Sequence, residues 1–281
     1  MSQAVRYILL KSRGGLMGFA IVALMVLFAV FAEVLAPSSP YTFDLSKARM
    51  PPCPEHLLGT DELGRDLLSR IIYGARLTLL IALLSTLLAI ALGCLLGLMA
   101  GYYGGITDML ISRLTDMMLS IPGLLLAILM VALWGGSVIN IVVAIAYGQI
   151  PGFIRLVRSV TLQLKNAEYI IAAKLLGLST IKILFRHMLP NIMSIIVGNG
   201  TINIGFAILT ASSLGFLGLG LDPSIPEWGA MIGSAKNYMT VAPHIILTVG
   251  FFIVLSILGF NLLGNALSDY MDPRRREVTK K

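Results

Sequence analysis

The chain is short of charge. Only 12% of its 281 residues are Asp, Glu, Lys or Arg, where a soluble domain carries roughly 25%. Hydrophobic residues make up 57%, mean hydropathy is +0.89, and long uncharged runs recur. Together these exclude a soluble globular domain and imply an all-α integral membrane protein. Cysteine is nearly absent: Cys53 lies in a loop and Cys94 inside an apolar run, so there is no disulfide framework and no cysteine metal motif. His56, His187 and His244 are too dispersed to build a metal site. No G-x-x-x-x-G-K-[ST] stretch occurs, so the chain does not itself cradle a nucleotide. The glycines of 215–220 follow an apolar span rather than a βαβ strand, which excludes a dinucleotide loop. No Ser/His/Asp or Cys/His set suggests catalysis. Glu33, Asp116 and Gln149 fall near the expected span ends, which argues against a carrier built on buried carboxylates.

What is present is a series of six apolar spans. Residues 1–13 carry Arg6, Lys11 and Arg13 and no acid. The apolar run Gly14–Leu35 is longer than the core of a signal peptide, about 7–15 residues, and predicts a first transmembrane helix. Residues 36–76 are a proline-rich external segment. Within them, Leu58–Arg76 predicts a helix lying on the membrane surface, capped by Thr60 or Asp61 and striped by Leu63, Leu67, Leu68, Ile71 and Ile72. A solvated, capped helix accounts for Asp61, Arg65 and Asp66 without any function. Leu77–Ala100 predicts the second span, with Gly93 and Gly97 forming a face for close helix packing. Met117–Trp134 is the third, with a start near Thr107 and a bend at Pro122. Gly135-Gly136 makes a turn. Ser137–Ile154 is the fourth span, with Gln149 and Pro151 near its end. The fifth runs from about Met188 to Ser213, an external loop rich in turn residues follows, and Val241–Ala266 is the sixth. The expected organisation is 1–76 for the tail, first span and external segment, 77–273 for a five-helix core, and 274–281 for a basic tail.

Glu168–Pro190, EYIIAAKLLGLSTIKILFRHMLP, breaks the apolar pattern. Lys174, Lys182, Arg186 and His187 sit among apolar residues at helical spacing, which predicts a helix–Gly–helix elbow outside the bilayer within 165–190. Ala173 and Gly177 are four apart, so they are expected to share a helix face open to a partner. With six spans both ends lie on one side. That side, which includes the elbow, holds 15 of the 21 Lys and Arg. The excess predicts cytoplasmic termini and a cytoplasmic elbow, and it explains the net charge of +7 without nucleic acid.

The elbow resembles the EAA loop of ABC importer permeases, through Ala172, Ala173, Gly177, Leu189 and Pro190. Ile171 stands where that motif has its acid, with Glu168 three residues earlier, and His187 replaces an isoleucine. The pattern EY…AA…G…RH.LPN is similar to the peptide/nickel branch. Two other stretches share that similarity: Gly59–Arg76, through Gly59, Thr60, Asp61, Gly64, Arg65, Asp66 and Arg70, and FLGLGL…PEWGAMI within Gly215–Gly229. The chain is identified as a C-type permease subunit. The resemblance implies the type I importer fold and an ATPase-coupling role for Glu168, Ala172, Ala173, Gly177, Leu189 and Pro190. It implies no catalysis and no cofactor on this chain, since ATP and Mg would sit on two partner ATPase subunits. A second homologous permease and an extracytoplasmic binding protein complete the expected assembly, in the cell membrane of a bacterium or archaeon. The implied cargo is short peptides, with nickel or a nickel chelate as the alternative; the lack of a His/Cys/Met cluster favours peptides. An ion-coupled secondary transporter is the alternative from another class.

Overall fold

The structure is a computed structural model, described here over residues 12–271. The two basic tails, with Arg6, Lys11 and the Arg274–Arg276 run, lie outside those residues. Helix α1 is Arg13–Val30, its first turn closed by the Ser12 hydroxyl, which accepts from the Gly15 N–H at 2.9 Å. Then come α2 (Leu67–Tyr103), α3 (Gly105–Leu119), α4 (Gly123–Trp134), α5 (Val138–Leu164) and α6 (Glu168–Leu175). The long α7 (Thr180–Phe216), the short α8 (Trp228–Ala235) and α9 (Pro243–Met271) complete the set.

Among the described residues five helices are long and apolar enough to cross a membrane: α1, α2, α5, α7 and α9. The pair α3–α4 is a sixth, broken span, bent by 79°. Such spans must be helical, because lipid offers the backbone no hydrogen-bond partner. The break falls at Ser120–Pro122 and is sharper than the expected bend. Proline has no N–H to give, so α4 restarts only after it. The chain crosses back and forth, leaving 31–66, the 135–137 turn and 217–242 at one end. We call that end the platform; α6 lies at the other.

Two expectations need correction. Leu58–Arg76 is not a separate surface helix. Residues from Leu67 onward are the start of α2, which runs unbroken through positions 76 and 77, and its N-cap is Asp66 rather than Thr60 or Asp61. Asp66 Oδ2 accepts from the Ser69 N–H at 2.8 Å and its hydroxyl at 2.7 Å. The fourth span does not end near Ile154: α5 continues to Leu164, so Gln149 and Pro151 stand near its middle. The extension packs Val157 and Thr161 against Gly97 and Gly101 of α2, and its Arg158 and Arg155 pair with Asp108 and with Asp116 (2.8 Å). A helix absent from the sequence reading, α8, packs backbone to backbone on the end of α7. A Cβ on Gly215 would stand 2.2 Å from the Gly229 carbonyl carbon.

The expected small-residue face on α2 is present and extends to Gly101. Helices α2 and α5 run parallel, and Gly93, Gly97 and Gly101 meet Phe153, Val157 and Thr161 in register. A Cβ on Gly93 would lie 2.3 Å from Phe153 Cβ and 3.2 Å from its backbone carbon, and one on Gly97 would lie 2.8 Å from the Ile154 carbonyl oxygen. Backbone cannot yield as a side-chain tip does. We expect Gly93→Leu to lower the thermal stability of the detergent-purified protein by about 1–3 kcal/mol or more. Gly250→Ala, where an added Cβ meets nothing within 4 Å, should leave the unfolding temperature unchanged.

Candidate functional site

Two places collect the residues that the sequence singled out. At the elbow, α6 uses one face as a base. Ile170 and Ala173, three apart, are buried together with Cys94 and Leu98 of α2, Val157 of α5, and Ile183, Leu184, Met188 and Ile192 of α7. Lys174 Nζ sits 5.1 Å from the centre of the Tyr102 ring near the end of α2, a cation–π contact that adds a polar tie. The helix then stops in a Schellman turn: Gly177 N–H donates to the Lys174 carbonyl at 3.0 Å and Leu178 N–H to the Ala173 carbonyl at 3.2 Å. Gly177 holds φ +73°, a left-handed conformation that costs other residues about 1–2 kcal/mol.

This geometry corrects the expected shared face. Ala173 points inward and is buried, while Gly177 lies beyond the helix end, with nothing within 4 Å of an added Cβ. Glu168 and Ala172 are exposed. The outward tip is apolar: Leu175 is 84% and Leu176 79% exposed, joined by Ile181 and Phe185 of α7. Sequence reading missed these four. The signal was available for Leu175, which lies about 200° round the helix from the inward Ala173 at 100° per residue. Leu189 and Pro190 sit where the π-helical turns Ile183–Met188 give way to regular helix. Proline lacks the N–H for the carbonyl four residues back, and the widened turns accommodate that gap. The Asn191 side chain donates to the His187 carbonyl at 2.7 Å.

At the platform, the Gly59–Arg70 stretch folds on itself into a buried charged cluster. Gly64, at φ +76°, brings the chain so near Asp44 that a Cβ would lie 1.9 Å from its carbonyl oxygen, and Gly59 packs likewise against Met50. Thr60 donates through its hydroxyl to the Lys47 carbonyl and accepts from the Met50 N–H. Asp61, 2% exposed, accepts from the N–H groups of Leu63 and Arg65, both at 2.9 Å. Its other oxygen takes Arg65 Nε at 2.6 Å and stands 3.3 Å from Arg70 Nε, without hydrogen-bond alignment. Arg65 also reaches Glu62 at 3.0 Å. Burial, with Asp61 alongside, pushes the Glu62 carboxyl above the usual carboxylate range despite Arg65. Arg70 donates to the Pro223 carbonyl at 2.9 Å and the Pro40 carbonyl at 3.3 Å, so it fastens two distant segments to α2. Asp66 binds His56 at 2.9 Å.

The 217–227 segment is pinned from within as well. Glu227 caps α8, accepting from the Gly229 and Ala230 N–H groups at 2.9 and 2.8 Å and from the Thr78 hydroxyl at 3.1 Å. Burial raises its carboxyl pKa. Trp228 is fully buried, its indole N–H on the Ile71 carbonyl at 3.0 Å. The signature residues are therefore clamp residues: buried, and paired among themselves and with nearby backbone apart from Arg70 Nε. The sequence reading of Asp61, Arg65 and Asp66 as solvated helix charges does not hold.

Two family descriptions match this sequence. The binding-protein-dependent transport system inner membrane component matches residues 93–277. The chain belongs to this family. The N-terminal transmembrane domain of oligopeptide transport permease C matches residues 1–52, in keeping with the C-type resemblance. This permease is 43% identical to the dipeptide transport system permease protein DppC of Alkalihalophilus pseudofirmus, over 95% of this chain and 88% of that one. It is 44% identical to the glutathione transport system permease protein GsiD of Pectobacterium atrosepticum, over 90% and 84%. The di/tripeptide transport system permease protein DppC of Pseudomonas aeruginosa is 42% identical, over 95% and 90%. In fold, the permease is similar to a chain of the inward-facing MetNI methionine ABC transporter, with a TM-score of 0.58 at 18% identity, covering 72% of this chain and 96% of that one. It is thus a multi-pass membrane subunit of an ABC importer.

Removing one member of a buried ion cluster leaves the others uncompensated. Asp61→Asn keeps an acceptor for the two N–H groups but leaves Arg70 without its carboxylate and Arg65 with Glu62 alone. The expected cost is about 3 kcal/mol, a fall of roughly 6–12 °C in the unfolding midpoint. Lys47→Met, which removes an exposed pair with Glu55, should shift it by no more than about 1–2 °C.

Proposed function

We propose that this permease subunit moves short peptides across the cytoplasmic membrane, driven by ATP hydrolysis on separate subunits. The observation that carries the reading is the elbow. An apolar tip of Leu175, Leu176, Ile181 and Phe185 stands exposed on a base buried against α2, α5 and α7. Exposed apolar surface of this kind marks a contact surface, and the buried base gives it the stiffness to pass on a push. Ala172 and Glu168 flank the tip, Gly177 sets the turn behind it, and Leu189-Pro190 end the π turns beneath it.

The partners follow from this reading: a second homologous permease, two ATPase subunits and an extracytoplasmic binding protein. ATP and Mg belong to the ATPases, and this chain is non-catalytic and binds no cofactor. Lys165, Lys174, Lys182 and Arg186 at the elbow support a cytoplasmic elbow and cytoplasmic termini, in the membrane of a bacterium or archaeon. The peptide cargo is supported by relatives named for dipeptide, di/tripeptide and glutathione transport.

In operation, closure of the ATPase pair presses on the elbow tip. The load enters α2 through Lys174 on Tyr102 and the cluster around Leu98, and enters α5 through Val157. Since α2 and α5 are locked in register by the glycine seam, they tilt as a pair.

The test is purification through a tag on this chain after mild extraction. The wild type should bring down an ATPase and a second multi-span chain. Burying each exposed Leu is worth about 1.5–3 kcal/mol, so Leu175→Glu/Leu176→Glu should weaken ATPase retention at least a hundredfold while retaining the second permease. Gly177→Arg should abolish transport with membrane insertion intact. Transport by this chain alone, in vesicles without ATP, would establish an ion-coupled carrier instead.

A further inference from the structure

Helices α5 and α7 carry three amide side chains within the membrane: Gln149, Asn199 and Asn203. All three stand near the middle of long spans, and all three border the same space. One cavity of about 300 Å³ is lined by Gly123, Gly148, Gln149, Gly152, Asn203 and Phe206 among others. A second, of about 250 Å³, shares Gln149, Gly152 and Asn203 with it and adds Asn199. Neither lining contains a charged residue. On one side the wall is glycine, and an added Cβ on Gly152 meets nothing within 4 Å.

Asn199 and Asn203 are oriented by their own helix, and Gln149 of α5 by the backbone of α7. Gln149 Nε2 donates to the Asn203 carbonyl at 3.1 Å, Asn199 Nδ2 to the Ile195 carbonyl at 3.0 Å, and Asn203 Nδ2 to the Asn199 carbonyl at 2.8 Å. A backbone carbonyl only accepts, so each amide nitrogen is fixed and each amide oxygen is left over. Gln149 Oε1 is buried with no partner, and among the described residues nothing donates to Asn199 Oδ1 or Asn203 Oδ1. Three acceptors thus border one cavity at mid-membrane depth, with no protein donor bonded to any of them. A lipid chain there would leave them unpaired, at about 1–3 kcal/mol for each buried oxygen. Each amide nitrogen keeps one further N–H, so the complementary ligand offers N–H groups to the three oxygens and can offer carbonyls to the remaining amide N–H groups, as a peptide bond does.

We propose that this acceptor cluster is a station on the substrate path, where the peptide N–H groups of the cargo are held in transit; the ligand rests on the peptide reading above. Neutral acceptors hold a donor without trapping it, as passage requires. They also leave cargo side chains unread, so cationic and anionic peptides pass the station alike.

The experiment uses the whole importer reconstituted in vesicles, in two arms. In the first, Gly152→Cys is made in a Cys53→Ser/Cys94→Ala background and exposed to a charged, water-soluble thiol reagent, with and without ATP-vanadate trapping. We expect labelling in at least one state, and labelling in neither overturns the path whatever the cargo. In the second, uptake of dialanine is compared with that of alanyl-sarcosine, whose peptide bond is methylated and has no N–H. Gln149→Leu should lower maximal dialanine uptake about tenfold, the worth of one such hydrogen bond. It should change alanyl-sarcosine uptake less than about twofold, with ATP hydrolysis stimulated as before. Equal loss for both peptides, or no loss, overturns the station. If Gly152→Cys is labelled but the wild-type importer moves neither dialanine nor trialanine, the peptide reading falls and the aqueous path stands.

Discussion

Gly93, Gly97 and Gly101 bring α2 and α5 closer than any larger residue allows, and much of the permease is built on that seam. Leu98 and Cys94 from one helix and Val157 from the other form the floor under α6. Phe153 and Ile154, held by the same seam, belong to the small cluster that includes Ala146 and Ile150, on the stretch of α5 that carries Gln149. The elbow and the polar cavity therefore share one support. Backbone in contact with side chain has little room to deform, so the seam transmits displacement rather than absorbing it.

The platform is stiffened by different physics. Asp61 and Glu62 face Arg65 and Arg70 in a buried cluster whose remaining donors reach carbonyls of Pro40, Pro223 and Ser224. Such a cluster contributes little net stability against an apolar equivalent, but its geometry is demanding. It joins α2 to one stretch 30 residues before Arg70 and to another 153 residues after it, and Glu227 with Trp228 adds a second fastening onto α2. The middle of the bundle is looser, with Gly148, Gly152 and Pro151 in α5, a 79° break between α3 and α4, and the two cavities. Both ends are firm and the centre is open.

How much of this was legible depended on whether the cause was local. The six spans were readable because crossing lipid demands length and apolarity in one run. The elbow was readable because its charges interrupt such a run and Gly177 marks its turn. Gln149 was misplaced because the apolar run of α5 ends near Ile154, whereas the helix continues on Arg155 and Arg158, whose partners Asp116 and Asp108 lie on α3. The Asp61 cluster was misread as solvated because the Pro223 carbonyl that takes Arg70 lies 153 residues away. Helix α8 was read as loop because Gly229 and Gly233 look like turn residues. In fact they are small so that α7 and α8 can touch backbone to backbone. Ala173 and Gly177 share a face only if the helix continues past Leu176, and the Schellman turn ends it there.

The length of α2 has a mechanical meaning. Its 37 residues span about 55 Å at 1.5 Å per residue, nearly twice the hydrocarbon thickness of about 30 Å. Arg70, Asp66 and Trp228 fasten one end, and Tyr102 under the elbow lies at the other. A rod of that length held at one end swings its free end by about 5 Å for each 5° of rotation. Under the proposed coupling role, a stroke of several ångströms delivered at the elbow would be geared down to a few degrees inside the bilayer. That is enough to open or narrow a cavity walled by glycine, and too little to break the packing on which the lever turns.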